Sequence, residues 1–259
     1  MRLLAIDIGN SRIKCALFQG SEIEHTFEMD ADRLASGAAY RHSLRAHVRE
    51  LGPQRAAIAS VVPELNERVA EAVKRELMIL PEFVTAADVP PRMVAYESPG
   101  TLGADRIAAA VAGHHFYGNG REGARPVVVI DAGTAITFEV IDAGGTYLGG
   151  AIWAGPKLVA ASLNAGTSLL PEVDLVPPRQ AVGADTEACL RSGILFGFLD
   201  GVAGILGRLQ RKTGPQTFTV ATGGLGAWLA DRLGSIDTHD RYLVLHGIRL
   251  IASRLLAQD

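Results

Sequence analysis

Residues 3–18 read LLAIDIGNSRIKCALF, and residues 127–141 read VVVIDAGTAITFEVI. In each, a short apolar run breaks at Asp-x-Gly and a second apolar run follows, which is the pattern of a strand, a tight turn and a returning strand. In the first copy the return alternates as Ile13, Cys15, Leu17. In the second it is β-branched and aromatic. Asp131 lies 124 residues after Asp7 in a chain of 259, and the same offset pairs Ile6 with Ile130 and Gly9 with Gly133. Internal duplication is the economical explanation.

Working outward from the two hairpins, helical and strand-like patterns alternate. A stretch rich in Ala, Arg and Leu (31–51) reads as helix, AAIASVV (56–62) as strand, and the residues after Pro63 as a helix with Leu65, Val69, Val73 and Leu77 on one stripe. A strand near 82–85 and a helix over Ala104–Tyr117 follow. Beyond the second hairpin come a Gly/Pro-rich stretch (149–156), a helix (157–170), a loop (171–185), a long helix (186–212), a strand (216–221) and a terminal helix (240–257). This alternation predicts an α/β fold with crossover connections. The polar, glycine-rich segment from Gly118 to Pro126 is the natural boundary between two lobes.

Composition excludes several classes. With 48% hydrophobic residues and 259 positions, the chain can bury one large core or two ordinary ones, so neither a disordered tail nor a small stapled scaffold fits. The 25 Lys+Arg against 28 Asp+Glu give a net charge of −3, with no basic block to grip a phosphate backbone, so no nucleic-acid partner is expected. The charge-free stretch Pro215–Ala230 carries three glycines with Gln and Thr, far from the roughly 20 apolar residues a spanning helix needs. No membrane segment is expected. The apolar start runs into Asp7 too soon for a secretory signal, and Cys15 and Cys189 are too few for a disulfide framework. Both points predict a cytoplasmic location.

Four stretches carry chemistry. In Asp7-Ile8-Gly9-Asn10-Ser11 the glycine permits a tight turn, Asn and Ser can donate to phosphate oxygens, and the carboxylate can hold a hydrated divalent ion. One Asp-x-Gly turn is an ordinary hairpin. Two copies from duplicated lobes would put Asp7 and Asp131 on opposite sides of a cleft suited to a magnesium–triphosphate group. Thr222-Gly223-Gly224-Leu225-Gly226 follows a strand pattern and either lets a flat ligand approach the backbone or is a plain strand-to-helix turn. In Tyr96–Arg106, YESPGTLGADR, Asp105 falls in the first turn of the following helix. There it either complements the helix dipole or serves as a general base beside a guanidinium that grips a substrate anion. His114-His115 lacks the spacing of a metal pair, and Trp153 and Trp228 read as core or interface anchors. No P-loop or dinucleotide-binding glycine motif is present.

The order and spacing of DIGNSRIKCALF, YESPGTLGADR, VVVIDAGTAITFEVID and ATGGLG resemble those of type III pantothenate kinases, over essentially the whole chain. The resemblance implies two duplicated ribonuclease-H-like lobes of the actin and sugar kinase superfamily, residues 1–120 and 121–259, with an interlobe cleft. It also implies ATP-dependent phosphorylation of pantothenate at the first step of coenzyme A synthesis, by a homodimer needing Mg²⁺ and a monovalent cation, K⁺ or NH₄⁺. By position, Asp7, Ile8, Gly9, Asn10, Ser11, Arg12, Ile13 and Lys14 resemble the first phosphate-binding hairpin. Asp131 and Thr134 resemble the second, with Asp131 near the monovalent cation. Gly103, Ala104, Asp105 and Arg106 resemble the pantothenate-binding stretch in which Asp105 accepts the proton. Tyr96 and Thr186 resemble further pantothenate contacts, Thr186 reaching the partner subunit's site. Ser11 stands where Thr is usual, and Trp153-Ala154-Gly155-Pro156 replaces the usual Pro-Gly, so no role is carried onto residues 153–180. The same family includes chains named for an accessory role in Bvg virulence-gene expression. A transcription accessory protein acting by partner binding is therefore the rival reading, with another small-metabolite kinase of the superfamily as a second.

Overall fold

Strand β1 (Arg2–Ile8) turns into β2 (Arg12–Gln19) and then β3 (Glu22–Asp30), an antiparallel meander in which Ile8 faces Ile13 and Asp7 faces Lys14. The computed structural model in which this is seen describes all residues except Arg33, Ala35, Glu122 and residues 256–259. Helix α1 (Gly37–His47), strand β4 (Arg55–Ser60), helix α2 (Pro63–Leu77), strand β5 (Glu82–Phe83) and helix α3 (Ala104–Tyr117) follow. The five strands lie in the order β3-β2-β1-β4-β5, with β4 and β5 continuing parallel to β1. After a small ribbon, β6 (Asn119–Gly120) and β7 (Gly123–Ala124), the pattern repeats. It uses β8 (Val127–Ala132), β9 (Ala135–Ile141), β10 (Tyr147–Ala154), α4 (Pro156–Gly166), α5 (Thr186–Thr213), β11 (Phe218–Thr222), α6 (Gly226–Ala230), β12 (Thr238–His239) and α7 (Leu243–Leu255). The second sheet has the order β10-β9-β8-β11-β12, strand for strand the arrangement of the first. The duplication read from the two hairpins thus extends to whole sheets.

Alternation within the hairpin strands decides what each face does. Leu4, Ile6 and Ile8 of β1 and Ile13, Cys15 and Leu17 of β2 turn to one face, where Leu44 of α1 and Leu65, Val69 and Val73 of α2 cover them. The opposite face of β1 carries Leu3, Ala5 and Asp7, also buried, and α7 packs against that strand. Both helices over the first face are short, 11 and 15 residues, so packing rather than propensity holds them. In the second unit Val128, Ile130, Ile136 and Phe138 form the core with Phe198, Val202 and Leu206 of α5. Trp153 and Trp228 lie against this core, each ring stacked 6.1 Å from Phe198. Both are anchors, as expected.

Several boundaries differ from the sequence reading. The chain divides after Phe116, near the expected boundary, but Gly145–Tyr147 and the residues from Tyr242 onward belong with the first unit. The expected second lobe, 121–259, therefore loses its last helix, because α7 buries Leu243, Ile248 and Ile251 and packs on β1. Its expected extent, 240–257, ends at Leu255 among the described residues, and 256–257 lie outside them. The helix expected over 31–51 is shorter, and positions 33 and 35 fall outside the described residues. The stretch 149–156, read only as Gly/Pro-rich, is mostly strand β10. Gly150 is needed inside it because the Phe138 carbonyl occupies the place of a side chain. Among the described residues one helix, α5, is long and apolar enough by composition to cross a membrane, and Asp200 divides its apolar residues so that no charge-free stretch marks it. It carries Ile194, Leu195, Phe198, Val202 and Leu206 as buried residues of the second unit.

Glu76 of α2 ties the two helices of the first face together. Its carboxylate accepts from Arg45 Nε at 2.7 Å, Arg45 Nη2 at 2.9 Å and Arg49 Nη1 at 3.0 Å. The hydrogen bonds from Arg45 hold its carboxyl below the ordinary carboxylate range. The folded chain then binds this proton less readily than the unfolded chain, so the contribution is complete above the unfolded pKa and is lost as pH falls through the lowered one. Glu76→Gln is expected to lower Tm by a few degrees at pH 7, with the gap to the parent closing at acidic pH, read by thermal denaturation across a pH series.

Candidate active site

The first hairpin turns sharply because the Gly9 amide donates to the Arg12 carbonyl at 3.0 Å. Gly9 has no left-handed backbone. Its lack of a side chain matters because a Cβ would stand 3.2 Å from that same carbonyl. Asn10, Ser11 and Arg12 form the exposed tip, and Arg12 is ion-paired with Asp30. Ile8 and Ile13 are fully buried, so only their main chain can meet a ligand; their side chains belong to the core. Asp7 is buried with 7% exposure and stands directly across the ladder from half-buried Lys14. A carboxylate and an ammonium on neighbouring strands of one face form a polar floor beneath the turn.

In the second hairpin Asp131 pairs across the ladder with Thr137, and the Gly133 amide donates to the Ala135 carbonyl at 3.1 Å. Asp131 also lies beside Thr222 of β11, as Asp7 lies beside Ala59 of β4. Two glycines outside the hairpin close around it. Gly223 has φ +80°, and a Cβ there would strike the Asp131 carboxylate and the Ala132 carbonyl. Gly155 donates its amide to the Thr134 carbonyl at 3.0 Å, which also fills the place of its side chain. Gly223 is therefore required by packing on the hairpin. Gly155, near the start of the stretch given no role from the sequence, supports the turn that holds Thr134.

The third element is the start of α3. Asp105 is half-buried, and its Oδ1 accepts from the Arg106 amide at 2.7 Å, so the expected role at the helix start is present. Burial pushes the carboxyl above the ordinary range, against the weaker opposing pull of the Arg106 amide and guanidinium and of Lys14. A carboxylate in that condition is a stronger base than one in water. Gly103 leaves the space for it, since a Cβ there would come within 2.6 Å of Asp105 Oδ1. Ala104 is buried and contributes packing and backbone.

Arg106 is anchored by Tyr147, whose hydroxyl accepts from Nη2 at 2.8 Å, and the Tyr96 ring lies 5.9 Å from the Tyr147 ring. Lys14, Tyr96, Asp105, Arg106 and Tyr147 all belong to the first unit. Thr186 is exposed in the first turn of α5, after the Asp185 carboxylate that caps the helix through the Ala188 amide at 2.8 Å. Tyr147 and Gly155 escaped the sequence reading because both sit in a stretch whose glycines hide a strand. Gly223 was noticed, but for a ligand rather than for its neighbour Asp131.

The two-sheet fold aligns with solved structures along nearly all of the chain. A glucokinase from an Antarctic psychrotroph aligns over 100% of this chain and 99% of its own with a TM-score of 0.51 at 14% identity. A conserved Baf family protein from Campylobacter jejuni aligns over 98% and 99% with a TM-score of 0.55 at 22% identity. At these identities the likeness shows the fold alone, that of the actin and sugar kinase class. The sequence profile of type III pantothenate kinases matches residues 3–208. A type III pantothenate kinase from Moorella thermoacetica is 36% identical over 257 residues, covering 97% of this chain and 99% of the relative. The chain is thus a phosphotransferase of the kinase type, and it belongs to the type III pantothenate kinase family.

The contact between Gly103 and Asp105 can be tested directly. Gly103→Ala must move the carboxylate by several tenths of an ångström while leaving both cores untouched. Because a displacement of about 1 Å can cost on the order of 10²-fold, turnover is expected to fall roughly 10- to 100-fold with Tm nearly unchanged, as measured by steady-state kinetics beside thermal denaturation.

Proposed function

We propose that this chain transfers the γ-phosphoryl group of ATP to the primary hydroxyl of pantothenate, giving 4′-phosphopantothenate and ADP at the first step of coenzyme A biosynthesis. The observation that carries the mechanism is the half-buried Asp105 carboxylate, made more basic by its surroundings and set beside Arg106. The hydroxyl oxygen attacks phosphorus, the bond from phosphorus to the β,γ-bridging oxygen breaks, ADP leaves with that electron pair, and Asp105 takes the hydroxyl proton. The transition state is loose, so the base chiefly orients the hydroxyl and accepts its proton late.

Arg106 would pair with the pantothenate carboxylate and Tyr96 would line its site, while Thr186, on the exposed start of α5, would serve the partner subunit's site. Main-chain amides at Gly9 to Ser11, the side chains of Asn10 and Ser11, and Lys14 would meet the phosphates, and Thr134 keeps the nucleotide-binding role that its place in the family motif implies. Asp7, a carboxylate beside Lys14, fits a hydrated Mg²⁺, whose charge offsets that of the triphosphate when bound. Asp131, half-buried among Thr222 and the Ala132 carbonyl region, offers the oxygen donors that a monovalent cation takes, K⁺ or NH₄⁺. A homodimer fits the apolar surface of the second unit, where Ile152, Leu158 and Phe196 are exposed. The buried thiol of Cys15 and the free Cys189 fit a reducing, cytoplasmic setting. The reading as a transcription accessory protein is not favoured, because family membership joins a retained acidic pair and an intact Gly-Ala-Asp-Arg stretch.

Asp105→Asn is expected to lower kcat on the order of 10²–10⁴-fold. A purely capping role predicts almost no loss, since Asn caps as well as Asp. Because the folded pKa is raised, the charged form costs stability at neutral pH, so the variant should melt no lower than the parent at pH 7. A variant retaining more than about a tenth of parental kcat would overturn the assignment of the base.

The second expectation concerns ions. A triphosphate carries about four negative charges, and Asp7 and Asp131 add to the load, so bound cations must supply much of the balance. Turnover should require Mg²⁺ and run faster in K⁺ or NH₄⁺ than in Na⁺. Equal rates in sodium and potassium buffers would remove the monovalent ion from Asp131.

A further inference from the structure

Tyr147 heads the largest fully buried side chains of the chain, with 1% of its surface exposed. It opens strand β10 yet belongs to the first unit. A buried phenol hydroxyl usually has a hydrogen-bond partner, and here it accepts from one arm of the Arg106 guanidinium, 2.8 Å away. The same residue holds the other side of the acceptor region through its backbone. Its carbonyl accepts from the Ala95 amide at 2.9 Å, next to a bridge between Val94 and Tyr147, and its ring leans on Tyr96. One side chain therefore fixes the guanidinium, and its main chain fixes the segment carrying Tyr96.

A guanidinium is a flat fork of five N–H donors, and binding a carboxylate with two of them works only if the plane of the fork is set in advance. Holding Nη2 sets that plane. We propose that Tyr147 is a positioning residue for recognition of the acceptor's carboxylate: its hydroxyl orients Arg106 toward a small hydroxy-acid anion, with no contact of its own to the reacting phosphorus or to ATP. This deepens the assignment of Arg106 as the anion-binding residue and rests on it.

The test uses the full-length enzyme and three variants, Tyr147→Phe, Arg106→Ala and the double substitution, with pantothenate varied at saturating ATP. Pantothenate is varied up to saturation so that kcat and KM are separated, and ATP is varied in turn at fixed pantothenate. Tyr147→Phe keeps the ring and its packing and removes one oxygen. It is expected to raise KM for pantothenate roughly 10- to 150-fold, the range for one hydrogen bond to a charged group, with kcat and KM for ATP within about twofold and Tm little changed. In the Arg106→Ala background the same change should have no further effect, because it acts through the guanidinium.

Other results overturn the proposal and identify what failed. An unchanged KM in Tyr147→Phe beside a raised KM in Arg106→Ala leaves the anion-binding assignment standing and removes Tyr147 from it. An unchanged KM in Arg106→Ala removes that assignment itself. A full Tyr147→Phe effect persisting without Arg106 means that Tyr147 acts on its own. A parallel loss of Tm, kcat and affinity for both substrates means that its role is packing alone.

Discussion

The carboxylate of Asp105 occupies the space that a side chain at residue 103 would need, and the start of α3 is built around that fact. Removing the carboxylate from water makes it basic, while the Arg106 amide keeps it hydrogen-bonded and still able to ionise. The neighbouring guanidinium could neutralise it outright, which would return it to an ordinary pKa. Instead one arm of that guanidinium is committed to the Tyr147 hydroxyl. The pull of the guanidinium on the carboxyl persists but is outweighed by burial.

The duplication supplies the frame in which this happens, and the two copies differ at the same point of the motif. Asp7 is opposed across its ladder by Lys14, whereas Asp131 is opposed by Thr137. A carboxylate beside an ammonium is partly compensated. A carboxylate beside a hydroxyl is not compensated by that cross-strand neighbour. Identical folds thus set up two electrically unlike carboxylates, and the difference lies in one residue of the returning strand.

Much of this was legible in the sequence, for physical reasons. The two hairpins announce themselves because a buried strand needs an unbroken apolar run and a tight turn needs its own residue types, so Leu3–Phe18 and Val127–Ile141 can be read without further context. Helix α3 was found over its full length, Ala104–Tyr117. Strands β3 and β10 were not seen, since Glu22–Asp30 mixes charged residues into an edge strand and Tyr147–Ala154 carries a pair of glycines. What those glycines respond to, the Phe138 carbonyl behind Gly150 and the Thr134 carbonyl behind Gly155, is a close approach between segments that no local pattern records. Tyr147 was invisible for the same reason: its importance lies in a partner 41 residues away. The turn glycines were read correctly as turn residues, but Gly9 and Gly133 do not use left-handed backbone, which Gly223 does.

Helix α7 fills the face of the first sheet that carries Leu3 and Ala5, and Gly247 lets its backbone approach that of Ala108 in α3. Helix α7 therefore follows the whole second unit along the chain and yet walls the first. A ribosome releases the chain from its amino end, so while the second unit is being synthesised the first waits with one side of its central strand uncovered. Among the described residues the second unit has all its strands by His239 and can close before α7 is made. Order of synthesis and order of completion are thus reversed in this chain, and shortening it at the carboxyl end would damage the half of the molecule that was translated first.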